Sequence, residues 1–350
     1  MSESAIIDNR LRGALNNSSL TARVMRSSAL TVAGFGFAQV LRLASNLVLT
    51  RLLFPEAFGL MALVMVFMIG LQMFSDFGVG PSILRSERGD EPAFLDTVWT
   101  VQILRGVALF IIGCLLAAPV ATFYAEPVLF GMLLVASIQF LVLGLMPTRR
   151  ETANRHLVLG KLTVLEMLSQ VISLIIIIGL ALALQSVWAL VIGTLLGTCV
   201  QVLIMTLFLP GHRNRLHWDR AAVSEVVHFG KWIFLSTICG FLLAQGDKLI
   251  LGKFLPLDVF GIYNIGFFLG SFPMMLGMVV ISRLLIPVYR ACPPLESRAN
   301  FLRLRRMRMI ATAGLLAMLG VVSFAGVWLI DLMYDERYLD AGAVVVLIAC

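Results

Sequence analysis

Charge is scarce in this 350-residue sequence: 13% of its positions are Asp, Glu, Lys or Arg, about half the share found in a soluble domain. That shortage excludes a water-soluble globular protein, because a compact chain in water needs a polar exterior. Histidine and cysteine are thin as well. The four histidines, His156, His212, His217 and His228, do not fall at metal-ligand spacing. The five cysteines (Cys114, Cys199, Cys239, Cys292 and Cys350) are scattered singly, three of them inside apolar runs. They read as small hydrophobes, not as a disulfide or metal framework. The nearest approach to a P-loop, Leu159-Gly160-Lys161-Leu162, lacks the upstream glycine and the Ser or Thr after the lysine. No cofactor, metal or hydrolysed nucleotide is expected, and no enzymatic constellation is visible.

Apolar residues fill the chain instead. They make up 59% of it, and the mean hydropathy is +0.95. Runs such as Val171–Leu184 and Val187–Leu209, with their flanks, reach across a hydrocarbon core of ~30 Å. Such windows predict helices at 28–50, 57–80, 97–123, 127–146, 162–184, 187–209, 232–251, 259–281 and 309–330, with a tenth beginning near Ala341. Residues 1–27 are mostly polar and carry Arg10, Arg12, Arg23 and Arg26, so the first apolar run reads as a retained helix and not as a cleaved signal.

The linkers sort by charge. Alternate linkers, including those with Arg85 and Arg88, Arg149 to Lys161, Arg213 to Lys231 and Arg283 to Arg308, hold 21 basic residues; the other set holds 4. The positive-inside rule puts the first set, and the N-terminus, in the cytosol. The formal charge of +7 is then a topology signal that also meets an anionic leaflet, and nucleic acid is not an expected partner.

A repeat at an offset of 202 residues aligns Leu49–Leu60 with Leu251–Ile262. Leu49, Leu53, Phe58 and Gly59 match Leu251, Leu255, Phe260 and Gly261, while Arg51 and Glu56 meet Lys253 and Asp258. An even number of helices separates the copies, so both run the same way across the bilayer. The expected fold is all-α integral membrane: two six-helix lobes related by a parallel repeat, the second incomplete. Its divisions are a cytosolic N-terminal segment (1–27), an N-lobe (28–209), a cytosolic linker (210–231) and a C-lobe (232–350). A full second copy would continue beyond Cys350, so a longer product is expected.

The stretch Leu49–Leu63 and the motif Phe74-Ser-Asp-Phe-Gly-Val-Gly-Pro-Ser-Ile-Leu-Arg85 resemble the first outside loop and second helix end of the polysaccharide transporter (Wzx-type flippase) family. Gly246–Gly252 and Phe260–Tyr263 resemble that family's seventh and eighth helices. The resemblance implies the multidrug/oligosaccharidyl-lipid/polysaccharide exporter fold in a bacterial inner membrane. It also implies movement of an undecaprenyl-diphosphate-linked oligosaccharide, with polysaccharide polymerase and chain-length machinery as partners.

Polar residues inside the helices are the candidates for transport. Gln39, Arg42 and Asn46 share one helix face, as do Gln102 and Arg105. A cation at mid-bilayer costs about 2.5–3.5 kcal/mol on insertion scales, so Arg42 and Arg105 should face a cavity or a partner. An arginine fork suits a diphosphate, and Lys248 is a third candidate. Glu166 is a candidate ion-coupling group. Against these stand snorkelling to headgroups, or pairing of an arginine with Glu166 to hold the bundle. A multidrug or lipid II exporter of the same superfamily is the near alternative. A membrane polymerase or glycosyltransferase is the distant one, and the outside loops are short for it.

Overall fold

A computed structural model describes residues 34, 36–75, 79–156, 159–281, 285, 288–289, 293–294 and 296–350. The expected segment 1–27, Asp76 to Gly78 of the second motif, and Arg283, Arg290 and Cys292 lie outside the described residues. Among those described, the chain is helical and without strands. The helices are α1 (36–52), α2 (Pro55–Phe74), α3 (Val79–Arg85), α4 (Pro92–Tyr124), α5 (Pro127–Gly144), α6 (Arg149–Arg155), α7 (Leu159–Leu184), α8 (Trp188–Phe208) and α9 (Arg220–Phe254). After them come α10 (Leu257–Gly270), α11 (Phe272–Val280), α12 (Arg298–Met333), a 3-10 turn (Glu336–Tyr338) and α13 (Ala341–Ala349).

Helix starts follow local chemistry. Pro55, Pro92 and Pro127 open α2, α4 and α5, where the missing N–H is no loss and φ is already helical. Asp219 and Ser297 cap α9 and α12 by accepting from Ala221 N and Asn300 N. Two expected spans end sooner than their hydropathy indicates. The run 57–80 stops at Phe74, because Ser75 turns the chain and its hydroxyl bonds back to Gln72 O at 3.0 Å. The run 259–281 bends by 42° between α10 and α11, where Ser271 closes one helix and Pro273 opens the next. Of the linker expected over 210–231, Arg220 onward already belongs to α9.

Six described helices are long and apolar enough to cross a bilayer, or seven if the α10–α11 pair is one span. Their outer faces carry bare apolar side chains, such as Leu115 at 70% and Phe324 at 95% exposed. A lipid solvent explains such surfaces and water does not. The protein is a multi-pass membrane protein.

Charge is gathered at one end, called here the basic end. There Arg88 pairs with Asp219 at 3.0 Å, and Arg155 with Asp90 at 3.1 Å. Asp96 accepts from His212 Nε2 at 2.7 Å and from Arg215 N at 2.9 Å. The linker is thus bound to the start of α4.

At the opposite end α2 and α10 meet backbone to backbone. A Cβ on Gly59 would strike the carbonyl oxygen of Leu257, and a Cβ on Gly261 would strike that of Pro55. The contact is reciprocal under the 202-residue offset, since Pro55 and Leu257 are themselves aligned. Tyr338 OH ties the same end by donating to Leu53 O at 2.9 Å.

Candidate functional site

Two cavities in the apolar body are lined by polar side chains. The first, about 210 Å³, lies between α1, α2, α9 and α10. Asn46, Gln245, Lys248 and Asn264 line it beside Met61 and Met65. Lys248 is positioned by two contacts: Nζ donates to Gln245 Oε1 at 3.4 Å and sits 4.0 Å from the ring centre of Phe267. Such a cation–π contact holds the half-buried ammonium at the ring face. Asn46 Oδ1 accepts from Tyr334 OH at 3.2 Å, and Asn264 Nδ2 donates to Phe260 O at 2.7 Å. Next door, Tyr263 OH donates to Asp247 Oδ2 at 2.6 Å, which fixes α9 on α10. One ammonium and three amides are a set that binds an anion or hydroxyl groups.

A second cavity, about 400 Å³, opens toward the basic end and is lined by Gln72, Gln102, Arg105, Phe140, Arg150 and Glu151, among others. The face of α2 that carries Met61, Met65 and Ile69 in the first cavity carries Gln72 in the second. Arg105 reaches the end of α2, donating from Nε to Ser75 Oγ at 3.0 Å and from Nη2 to Gln72 O at 2.8 Å. A cation there meets unpaired carbonyls and the negative end of the helix dipole. Gln102 does the same for α5, donating to Leu143 O at 3.0 Å and to Met146 O at 3.2 Å.

Residues 48–343 match the family described as polysaccharide biosynthesis protein. The chain belongs to that family. Its relatives include the teichuronic acid biosynthesis protein TuaB of Bacillus subtilis, 23% identical over 280 residues, 77% of this chain and 56% of that protein. The lipopolysaccharide biosynthesis protein WzxC of Escherichia coli is 22% identical over 308 residues, 85% of this chain and 60% of that protein. The chain spans about three fifths of the length of these curated relatives. Among solved structures, an inward-facing conformation of a multidrug resistance MATE family transporter of the MOP superfamily aligns with a TM-score of 0.58. It shares 13% identity and covers 89% of this chain and 76% of that one. The likeness shows the fold.

In this polysaccharide biosynthesis protein the expected site residues separate. Asn46 and Lys248 share the first cavity, while Gln102 and Arg105 line the second. Arg42 is exposed on α1 and is not among the residues lining either cavity. Gln39 is buried, and its Oε1 has no hydrogen-bond partner among the described residues. Glu166 pairs with Arg150 at 3.1 Å, so the carboxylate weighed as a partner for Arg42 or Arg105 is taken up by another arginine. Gln245, Asn264 and Arg150 are cavity residues that the sequence reading did not single out. Gln245 sits one turn before Lys248, which is a signal within reach of the sequence. In the sequence Arg150 stands out only as a topology charge.

Proposed function

We propose that the protein carries a lipid-linked oligosaccharide across a bacterial inner membrane for polysaccharide biosynthesis. The observation that carries this reading is the first cavity: a lysine and three amides brought together between helices of a chain otherwise poor in charge. In this reading residues 28–209 and 232–350 are two lobes related by a parallel repeat. The reciprocal approach of Gly59 and Gly261 supports that symmetry. The basic end is cytosolic, as the 21-to-4 division of basic residues predicts. The lobes then meet on the outer side, and the second cavity opens toward the cytosol.

Lys248 and Asn46 are assigned to the anionic headgroup and its first sugar, and Arg105 to the headgroup on the cytosolic side. Gln102 acts by fixing the wall beside Arg105. Arg42 and Gln39 are assigned to the path along α1, and Glu166 to ion coupling through its pair with Arg150. A cationic lining favours an anionic lipid-linked sugar over the cationic drugs expected of a multidrug exporter. Polysaccharide polymerase and chain-length machinery are the proposed partners downstream.

The test is genetic. Deleting the gene should abolish one surface polysaccharide, and its reintroduction should restore it. Unchanged surface polysaccharide in the deletion strain, together with altered drug tolerance, would transfer the assignment to the multidrug reading.

A further inference from the structure

A third cavity, about 450 Å³, lies at the basic end, where Trp99 of α4, Leu145 and Arg149 around the α5–α6 connection, Leu207 of α8, and Arg213 and Asn214 of the linker converge. Its charge differs from that of the second cavity. Two arginines line it, and no carboxylate does among the described residues.

Arg149 is 8% exposed. Its Nη1 donates to Leu209 O at 2.7 Å and closes the end of α8. Its Nε is buried without an acceptor among the described residues, and so is the indole Nε1 of Trp99. Buried cations are ordinarily paired, and buried donors ordinarily bonded, because their lost hydration must be replaced. Neither replacement is supplied by the described residues. Burial, and then repulsion from Arg213, lower the pKa of Arg149, as two cations facing one space require. The linker presses on the arginine from the other side: a Cβ on Gly211, whose φ is +142°, would stand 3.0 Å from Arg149 Cβ.

The rim is apolar and bare. Leu145 is 49% and Leu207 65% exposed, and both belong to the ends of spans that meet lipid. An acyl or polyprenyl tail can therefore stay in the membrane while its headgroup enters between the arginines. Tryptophan at such a level is the usual amphipathic residue of the membrane interface.

We propose that this cavity binds the phosphate headgroup of a membrane amphiphile of net negative charge, with Arg149 and Arg213 as the anion contacts and Trp99 and Asn214 as further donors. The site is separate from the Lys248 cavity and does not depend on the transport reading. Two amphiphiles carry this chemistry, an anionic phospholipid of the leaflet and a polyprenyl phosphate or diphosphate.

The experiment is ligand binding to the purified full-length protein, by native mass spectrometry and by thermal shift. The probes are dioctanoyl-phosphatidylglycerol, dioctanoyl-phosphatidylcholine and farnesyl diphosphate. Wild type is expected to hold phosphatidylglycerol or farnesyl diphosphate more tightly than phosphatidylcholine. Arg213→Gln, at an exposed position, should weaken that binding by about tenfold. Trp99→Phe should weaken it by a smaller factor, and Arg213→Lys should retain part of it. Displacement of phosphatidylglycerol by equimolar farnesyl diphosphate assigns the site to a polyprenyl chain; failure of displacement assigns it to the leaflet lipid. Equal binding of phosphatidylglycerol and phosphatidylcholine would overturn the proposal. So would unchanged affinity in Arg213→Gln and Trp99→Phe at the wild-type melting temperature.

Discussion

Lys248 and Arg105 are each tied to particular partners, and the partners predict different phenotypes. Lys248 sits between Gln245 and the Phe267 ring in a cavity between helices, so its loss should act on transport. Lys248→Ala is expected to reduce polysaccharide export per molecule by about tenfold or more at normal membrane abundance. Lys248→Arg should retain part of it, and quantitative immunoblotting beside the export assay makes the distinction. Arg105 spends two donors on the end of α2. Arg105→Ala should therefore lower stability by about 1–3 kcal/mol, measured as a fall in melting temperature in detergent. At the basic end, the Arg88 guanidinium, then Ala221 N–H, hold the Asp219 carboxyl below the usual carboxylate range. A depressed acid contributes stability above its unfolded pKa and loses it as pH falls through its folded value. Asp219→Asn should thus be less stable than wild type at neutral pH, with a gap that narrows in acid. Exposure keeps this effect small. Asn46 and Lys248 were legible from the sequence because a polar residue inside an apolar run is visible without a structure. Trp99 and Arg149 were not. Their significance lies in a missing acceptor and in a linker more than 60 residues away, and spacing records neither.

At the scale of elements, hydropathy found the apolar body of each long helix and some ends, such as Pro127 and Leu184, but not others. Pro55, Pro92 and Pro127 mark starts that can be read directly. The stop at Phe74 depends on Ser75 and on Arg105 from another helix, so no local pattern announces it. The 42° bend at Ser271 interrupts a run whose hydropathy is continuous. The α2–α10 contact is the element-scale feature with the clearest consequence. Gly261 has no room for a methyl group against Pro55 O, and backbone cannot move aside as a flexible side chain can. Gly261→Ala is expected to push the two helices apart at that end. Spin labels on Glu56 and Asp258, each replaced by cysteine, should report a longer separation than in the parent. An unchanged distance would show that the contact does not hold the two helices together at that end.

For the molecule as a whole, composition alone identified a membrane protein, and charge asymmetry alone predicted which end faces the cytosol. The motifs around Leu49–Leu63 and Gly246–Tyr263 led to the family that residues 48–343 match. What composition could not reveal is which polar residues meet. Gln39, Arg42 and Asn46 share a helix face on paper, yet they divide among a buried position, an exposed one and a cavity. The central claim is that a lipid-linked oligosaccharide crosses the membrane by way of the Lys248 cavity. The most direct measurement is the amount of lipid-linked oligosaccharide facing each leaflet in membranes lacking the native gene and complemented with wild type or Lys248→Ala. The account predicts build-up on the cytosolic side without the gene, clearance by wild type, and persistence with Lys248→Ala at equal protein abundance. Clearance by Lys248→Ala at the wild-type rate would contradict it.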